Sequence, residues 1–281
     1  MDQSAPIGEA LAGMVWIPGG EFNMGCEHFY PEEKPVRTAS VKGFWMDETP
    51  VTNRQFAQFV KETGYVTAAE AAEVPTTAVF RKLRGEVSLD DPRAWWSLEK
   101  ASWRHPRGIK SDITRLALHP VVQITYEDAL AFCAWSNTQL PTEEEWEFAA
   151  RGGLDGAIFA WGNRERDAKN RPLANTWQGH FPTLNSREDG YEYTSPVKAF
   201  PANGYGLFDI VGNVWELTST IEGGAGCCGL SNSTETKVVL KGGSHLCAPN
   251  YCFRYRPAAR SSQTIDFATS HIGFRRIFRP K

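Results

Sequence analysis

The sequence predicts a single α+β domain with little regular secondary structure. The chain has 281 residues and no low-complexity linker divides it, so one domain over residues 1–281 is expected. Its 25 glycines and 17 prolines favour turns over long helices and strands. Its 10 tryptophans and 16 phenylalanines provide a large aromatic surface for the core, while long aliphatic runs are scarce.

Three amphipathic helices are predicted from their capping signals. Each begins at a threonine that is followed three residues later by Gln, Asp or Glu, the pattern of a capping box. Two of them end at a glycine, which is the usual residue just beyond a helix C-terminus. The three helical sequences are TNRQFAQFVKETG from Thr52, TYEDALAFCAWSN from Thr125 and TEEEWEFAARGG from Thr142.

Short strands are predicted around these helices, with long irregular stretches between them. Turn signals such as EDG and ANGYG make residues 165–235 loop-rich. Residues 75–118 lack periodicity but hold three tryptophans, so they are predicted to be a long excursion packed by its own aromatic side chains. The strand candidates are MVWIPGGEF, PVRTASVKGFWMD, HPVVQIT, SPVKAF and VVLKGG.

Charge and hydropathy argue against several classes of function. The net charge of −3 and a pI near 6.1 are not those of a general nucleic-acid binder, which is normally basic. No stretch reaches the roughly 18 apolar residues of a membrane span, and the N-terminal sequence lacks the pattern of a signal peptide. A cytoplasmic protein that binds neither nucleic acid nor membrane is therefore expected.

The most informative feature is the cysteine pair Cys247 and Cys252, within KGGSHLCAPNYCFRYRPAARS. Two thiolates on one short loop can form a disulfide, or bind a soft ion such as Cu(I). Because the cytoplasm keeps thiols reduced, a metal-binding or catalytic role is favoured over a disulfide there. Zinc is a weaker alternative, since it needs a full tetrahedral ligand set that only Cys227 and Cys228 would complete.

Together these motifs resemble the formylglycine-generating enzyme, or sulfatase-modifying factor, family. The resemblance covers nearly the whole chain, and it implies a single domain of the C-type-lectin-related fold of that family. LPTEEEWEFAARGG and GNVWE are shared by a wider superfamily, so the cysteine pair is the discriminating feature. The remaining motifs are MVWIPGGEFNMG, PVTNRQFAQFVKETGY, HPVVQITYEDALAFCAWSN, FAWGN, ANTWQGHFP, NGYGLFDIVGNVWE and SHIGFRR.

The resemblance implies a copper-dependent oxidase that uses O₂ to convert a cysteine into Cα-formylglycine. The target cysteine would lie in a C-x-P-x-R sequence of a sulfatase polypeptide, bound as an extended segment, and the enzyme would be a monomer. Cys247 and Cys252 would bind Cu(I) and leave room for the substrate thiolate. Trp215, Ser244 and Tyr251 would line the oxygen pocket.

Two Ca²⁺ sites are also implied by the resemblance. Calcium takes about six to eight oxygen ligands, from carboxylates and carbonyls. From the residues alone, Asp and Asn in turns more often cap the local backbone. The first site would use the side chains of Asn175 and Asp189 with the carbonyls of Thr176 and Tyr191. The second would use the side chains of Asp209 and Glu216 with the carbonyls of Gly212 and Val214.

The chain departs from the family pattern at two positions near the thiols. Ala248 follows Cys247 where the better-known relatives carry histidine, and Pro257 stands where some relatives carry cysteine. Neither departure removes the thiol pair. His271 matches a position beside the site where the family uses asparagine or histidine.

Three arginines near the thiol pair leave two interpretations open. They can lower the pKa of the thiols or dock a peptide backbone. They can equally pair with acidic residues of neighbouring loops, the structural interpretation. The arginines are Arg254, Arg256 and Arg260.

A second function class is compatible with the same sequence. A non-catalytic, lectin-like, peptide-binding module would retain Cys247 and Cys252 as a disulfide. A sulfoxide-forming iron enzyme is disfavoured, because it needs a histidine-rich site and the six histidines are scattered.

Overall fold

A computed structural model describes residues 11–222 and 236–280. Over these residues the protein is a mixed α and β domain with 16% helix and 23% strand. Average globular domains have roughly twice this share of helix. The prediction of an α+β domain with low regular content is therefore confirmed. In the described residues no helix has the length and apolar character needed to span a membrane.

The helices are short, and the predicted caps form as expected. Thr52, Thr125 and Thr142 each accept a hydrogen bond from the backbone N–H of the third helical residue, whose side chain in turn accepts one from the backbone N–H of the threonine. A fourth capped helix begins after Thr67 and was not predicted. The helices are Asn53–Thr63 (α1), Ala68–Ala71 (α2), Tyr126–Trp135 (α3) and Glu143–Arg151 (α4).

The strands in the described residues are also short and form four small sheets. Their sheet orders are β1-β4-β12, β2-β3, β10-β5-β6 and β11-β7-β8-β9. The first six strands are Met14–Ile17 (β1), Gly20–Met24 (β2), Arg37–Val41 (β3), Phe44–Asp47 (β4), Thr77–Phe80 (β5) and Trp96–Glu99 (β6). The others are Trp215–Glu222 (β7), Lys237–Lys241 (β8), Arg260–Thr264 (β9), Ala268–Thr269 (β10), Ile272–Phe274 (β11) and Ile277–Phe278 (β12).

The four-stranded sheet positions the thiol loop. β8 and β9 pair antiparallel, and the chain between them carries both cysteines of the pair. β11 pairs parallel to β7, with Ile272 opposite Trp215. The backbone N–H of Trp215 donates to the carbonyl of His271 at 2.9 Å. Residues distant in sequence therefore meet at one end of this sheet.

Three clusters of buried apolar side chains form the core. One joins α1 and α3 to the thiol loop, with Phe56, Trp103 and Cys247 among its members. A second surrounds Trp146 of α4 and the β1–β4 sheet. The third has four aromatic side chains among its six buried members and includes Trp95, which lines the thiol cavity. Aromatic packing thus compensates for the scarcity of aliphatic runs.

Two strand predictions were wrong. HPVVQIT and SPVKAF contribute isolated backbone bonds, from Val121 N–H to the carbonyl of Val51 and from Val197 N–H to the carbonyl of Leu118. Each segment contains a residue with positive φ, Gln123 at 60° or Lys198 at 66°. A left-handed residue breaks the alternation of the extended backbone, so neither segment continues as a strand.

The excursion at residues 75–118 is more ordered than predicted. It contains β5 and β6, which pair antiparallel with Phe80 opposite Trp96. Trp103 is fully buried in the core against Phe56 of α1, at a ring-centroid distance of 5.2 Å. The aromatic side chains of this segment therefore pack against the rest of the domain as well as against one another.

Candidate active site

The sulfur atoms of Cys247 and Cys252 lie 3.1 Å apart in the wall of a cavity of about 110 Å³. This separation is longer than the S–S bond of a disulfide, about 2.05 Å. The N–H of Cys252 donates to the carbonyl of Ala248 at 2.8 Å, which closes a turn between the two cysteines. Cys247 is buried and Cys252 is partly exposed, so the pair is reached from one side.

The glycines before the cysteine pair allow the thiol loop to fold back on itself. Gly243 has φ +70°, and a Cβ atom there would lie 2.8 Å from the carbonyl oxygen of Arg254. A side chain at this position would push the two ends of the loop apart. The KGGS sequence is thus required by the close approach of the backbone.

The three residues predicted to line the oxygen pocket are brought to this cavity. Trp215, Ser244 and Tyr251 all line it together with the two cysteines. The Ser244 N–H lies 3.4 Å from the sulfur of Cys247, and Ser244 is fully buried. These contacts give the cavity apolar walls with a small polar corner.

An aromatic wall that was not predicted encloses the same cavity. Tyr251 stacks on Phe181 with centroids 4.6 Å apart and an interplanar angle of 7°. Trp95 contacts both rings edge-on at 5.4 Å, and Trp96 lines the cavity beside them. The only sequence signal was a tandem Trp-Trp in a segment without periodicity. These rings limit the access of water to the thiols.

Arg254 is the arginine that reaches the thiol pair. Its Nη1 lies 4.0 Å from the sulfur of Cys252. Glu32 accepts from the same guanidinium at 2.6 Å and 3.1 Å, and the ring of Tyr30 lies 3.7 Å from its centre. The loop before β3 therefore holds one positive charge beside Cys252.

The other two arginines of the predicted cluster have structural partners. Arg256 is buried and pairs with the buried Glu33 at 2.9 Å. Arg260, on β9, pairs with Glu143 at 2.8 Å and with Glu222 at 2.7 Å. Neither lines the thiol cavity. The structural interpretation therefore holds for these two, whereas Arg254 fits both interpretations.

The donor set of the cavity fits a soft monovalent ion. Among the described residues there is no group of three or more His, Cys, Asp or Glu side chains arranged for a metal. Two adjacent sulfurs suit Cu(I), which accepts few ligands and prefers thiolates. Cys227 and Cys228, which a zinc site would need, lie outside the described residues.

The first predicted calcium cluster is assembled around Asp189. Its carboxylate accepts the backbone N–H groups of Thr176 at 3.1 Å and Tyr191 at 3.0 Å. Asn175 precedes Thr176 and donates from its amide to the carbonyl of Tyr193 at 2.9 Å. Burial raises the pKa of Asp189 to about 6. The contacts of this carboxylate are N–H donors, so the cluster as observed provides one of the oxygen ligands that a hard cation requires.

The second predicted cluster fits less completely. Burial raises the pKa of Asp209 to about 6, and its carboxylate accepts the N–H of Lys198 at 2.8 Å. Glu216 is instead committed to the buried guanidinium of Arg275, at 2.9 Å. Its carboxylate also accepts the indole N–H of Trp146 at 2.7 Å. A cation here would have to share the carboxylate of Glu216 with Arg275.

Gly212 and Val214 complete the segment predicted to supply carbonyl ligands. Gly212 has φ +77°, and a Cβ atom there would lie 2.6 Å from the carbonyl oxygen of Asn175. Val214 is buried immediately before Trp215 of the thiol cavity. The two predicted calcium loops therefore touch each other, and one of them leads directly into the cavity.

The fold is a mixed α and β domain, and its site is a pair of adjacent thiols in an aromatic cavity. Residues 3–280 match the family model described as sulfatase-modifying factor enzyme 1-like domain. The formylglycine-generating enzyme of Mycobacterium tuberculosis is 48% identical, over 96% of this chain and 99% of that protein. The Mus musculus formylglycine-generating enzyme is 43% identical, over 97% of this chain and 76% of that protein. The chain belongs to the formylglycine-generating enzyme family.

Other relatives show the breadth of this family. A Mus musculus protein named inactive C-alpha-formylglycine-generating enzyme 2 is 42% identical, over 93% of this chain and 84% of that protein. The solved structure of PvdO from Pseudomonas aeruginosa superposes with a TM-score of 0.66. It covers 95% of this chain and 94% of the PvdO chain at 22% identity, which supports the fold alone.

Proposed function

We propose that this protein converts a cysteine in a C-x-P-x-R sequence of a sulfatase polypeptide to Cα-formylglycine, using O₂ and Cu(I). The observation that carries the proposal is the pair of sulfurs, 3.1 Å apart, in the wall of an aromatic cavity. Relatives named formylglycine-generating enzyme, with 43–48% identity over nearly the whole chain, support the reaction. O₂ and Cu(I) are proposed from the chemistry of the donor set.

The residues of the cavity have separate roles in this proposal. Cys247 and Cys252 hold Cu(I), which when bound supplies the oxygen chemistry that oxidises the substrate Cβ. Trp215 and Tyr251 exclude water, and the buried Ser244 offers a polar group in the same wall. The partly exposed side of Cys252 admits the substrate cysteine. The substrate loses its sulfur as sulfide on hydrolysis of the oxidised carbon.

Mass spectrometry of a peptide tests this function. A C-x-P-x-R peptide is incubated with Cu(I)-loaded protein, O₂ and a thiol reductant, and the aldehyde is trapped with a hydrazide. The wild type is expected to convert the cysteine, and Cys247→Ser and Cys252→Ser are expected to be inactive. Cys26→Ser is the matched control, because Cys26 lies outside the cavity. An unmodified peptide with copper-loaded wild type would refute the proposal.

A non-catalytic peptide-binding module is the second candidate. It is favoured by one observation, the relative named as inactive that shares 42% identity with this chain. In that case Cys247 and Cys252 would form a disulfide after a small movement of the two sulfurs. Thiol titration under native conditions separates the candidates. Two thiols that become titratable only after reduction, with no tight Cu(I) binding, would favour the module.

Calcium binding, a monomeric state and a cytoplasmic location also belong to the proposal. Ca²⁺ is proposed at the Asp189 cluster, and at the Asp209 cluster if the carboxylate of Glu216 is shared with Arg275. A reducing, cytoplasmic environment is proposed because Cu(I) binding requires reduced thiols. The protein is also proposed to be a monomer. Fractionation of the source cells and sedimentation of the purified protein test these two properties.

A further inference from the structure

His271 is a buried histidine whose ring orientation is fixed by its surroundings. It is 3% exposed and lines the cavity that contains the thiol pair. Its Nδ1 lies 2.7 Å from the hydroxyl of Thr269, and its ring lies 4.9 Å from that of Trp96. Its carbonyl is held by the N–H of Trp215. The ring is therefore positioned by three elements and has little freedom to turn.

The second ring nitrogen, Nε2, makes no hydrogen bond to another described residue. Nε2 is not among the buried atoms without a partner, so it is open to the cavity that His271 lines rather than sealed in the core. The hydrogen bond between Thr269 and Nδ1 fixes the orientation of the ring, so Nε2 is the nitrogen that faces the cavity. His271 is thus prepared to exchange a hydrogen bond or a proton with an occupant of the cavity.

We propose that Nε2 of His271 accepts the thiol proton of the substrate cysteine as it enters the cavity. This inference rests on the proposed function, in which that sulfur binds as a thiolate. The S–H bond breaks, the sulfur keeps the electron pair, and the proton forms an N–H bond on the imidazole. No electrons are transferred in this step. The proton on Nδ1 stays on that nitrogen, which donates it in a hydrogen bond to the Thr269 hydroxyl oxygen.

The charges around His271 favour this proton transfer. The titratable groups that share its surroundings are Cys247, Tyr251, Cys252 and Arg254 in the cavity wall, and His245, which it influences electrostatically. Burial lowers the pKa of His245 to about 3, so that neighbour carries no positive charge at neutral pH. If Cys247 and Cys252 hold Cu(I) and the substrate thiolate joins them, the three sulfur charges would exceed the single positive charge of the ion. A proton kept close to that excess charge would offset it.

Calorimetry of peptide binding measures the transferred proton directly. The peptide is titrated anaerobically into Cu(I)-loaded protein at pH 7.5, in two buffers of different ionisation enthalpy. A free cysteine is mostly protonated at this pH, so conversion to a thiolate releases about 0.9 proton. The wild type is expected to release almost none, because His271 retains the proton. His271→Asn is expected to release about 0.9 proton with unchanged copper stoichiometry.

Three controls make the result specific. His119→Asn is the matched variant, since its Nδ1 binds Thr194 at 3.0 Å and it lines a different cavity. It should behave as the wild type. A peptide with serine in place of the target cysteine should release no proton with any variant. His271→Gln provides a second substitution if His271→Asn loses its fold, which a thermal melt would reveal.

The pH dependence of turnover provides an independent readout. The kcat/KM of His271→Asn is expected to fall about 100-fold at pH 7, and the deficit should narrow at pH 9, where the substrate thiol ionises in solution. Equal proton release by wild type and the His271 variants would overturn the inference. If instead the wild type oxidises no peptide at all, the proposed function itself has failed.

Discussion

The carbonyl oxygen of Asn213 accepts two hydrogen bonds from His245, from its backbone N–H at 3.0 Å and from its ring Nδ1 at 2.8 Å. Asn213 also donates its own N–H to the carbonyl of Asn175 at 2.8 Å. His245 lies two residues before Cys247. One asparagine therefore connects both predicted calcium loops to the thiol loop, and it is 1% exposed.

Replacement of Asn213 tests how much its side chain contributes to the stability of this region. Asn213→Gly should lower the free energy of unfolding by about 2–4 kcal/mol, because the buried N–H and C=O of Ser195 lose their side-chain partner. In Asn213→Ala the free energy of unfolding should fall by about 1 kcal/mol more, because Asn213 has φ 59° and alanine disfavours this left-handed region of the backbone. Urea denaturation measures both. The exposed Asn170, with φ 60°, is the matched control, and an equal loss in Asn170→Gly would contradict the assignment.

The protonation of His245 should make the fold sensitive to acid. Burial lowers its pKa to about 3, whereas an unfolded histidine titrates near 6.5. The unfolded chain therefore binds the extra proton first, so the stability present above pH 6.5 is lost as the pH falls toward 3. Between pH 7 and pH 5 this loss should be about 2 kcal/mol.

The variant His245→Asn isolates this effect, because its amide can still donate to Asn213 without titrating. The difference in unfolding free energy between wild type and variant should change by about 2 kcal/mol from pH 7 to pH 5. The measurement is made in saturating Ca²⁺, so that the carboxylates of the calcium loops contribute equally. Parallel pH profiles for the two proteins would show that His245 is not the group responsible.

Removal of calcium should produce the opposite pH dependence. Burial raises the pKa of Asp189 and Asp209 to about 6, above the ordinary aspartate value. Their contribution to stability is therefore greatest at low pH and is lost as the pH rises through 6. In chelator, the His245→Asn variant, which lacks the opposing histidine, should become more stable from pH 7 to pH 5. Added Ca²⁺ should remove this trend and stabilise the fold by about 2.7 kcal/mol at 100-fold excess over Kd.

The stoichiometry of calcium binding separates the two loops. Asp189→Asn should abolish binding at the first cluster. A total of two ions in wild type and one in this variant would show that Glu216 shares its carboxylate with Arg275. One ion in wild type and none in the variant would confine calcium to the first cluster. No thermal stabilisation by Ca²⁺ would contradict the calcium proposal altogether.

Arg254 should control the reactivity of Cys252. A guanidinium 4.0 Å from the sulfur stabilises the thiolate. Arg254→Gln should therefore slow the alkylation of Cys252 at pH 7.5 by about 10-fold, with the difference vanishing at high pH. Glu32→Gln should have a smaller effect in the same direction, because it loosens the guanidinium. Peptide mapping of alkylated protein measures the rate.

A surface arginine provides the control for this experiment. Arg93 pairs with the exposed Asp91 at 2.8 Å and is distant in sequence from the thiol loop. Arg93→Gln should leave the alkylation rate unchanged. If Arg254→Gln and Arg93→Gln react alike, the positive charge of Arg254 does not act on Cys252.

Local signals in the sequence determined the helices and the thiol pair. A capping box fixes a helix start through hydrogen bonds between residues three apart, so Thr52, Thr125 and Thr142 were recognised without their neighbours. Strand pairing depends on distant partners instead. HPVVQIT has a strand-like composition, yet its backbone bonds go to single residues elsewhere and Gln123 turns the chain.

The sequence by itself determined the composition of the domain, its helix starts, the cysteine spacing and its family resemblance. Only the tertiary structure decided that Trp95 and Trp96 face the thiols, and that Glu216 is held by Arg275. The reason is physical. Hydrogen bonds within one turn depend on neighbouring residues, whereas the walls of a cavity come from segments far apart in the chain. Those contacts are specified only once the whole core has packed.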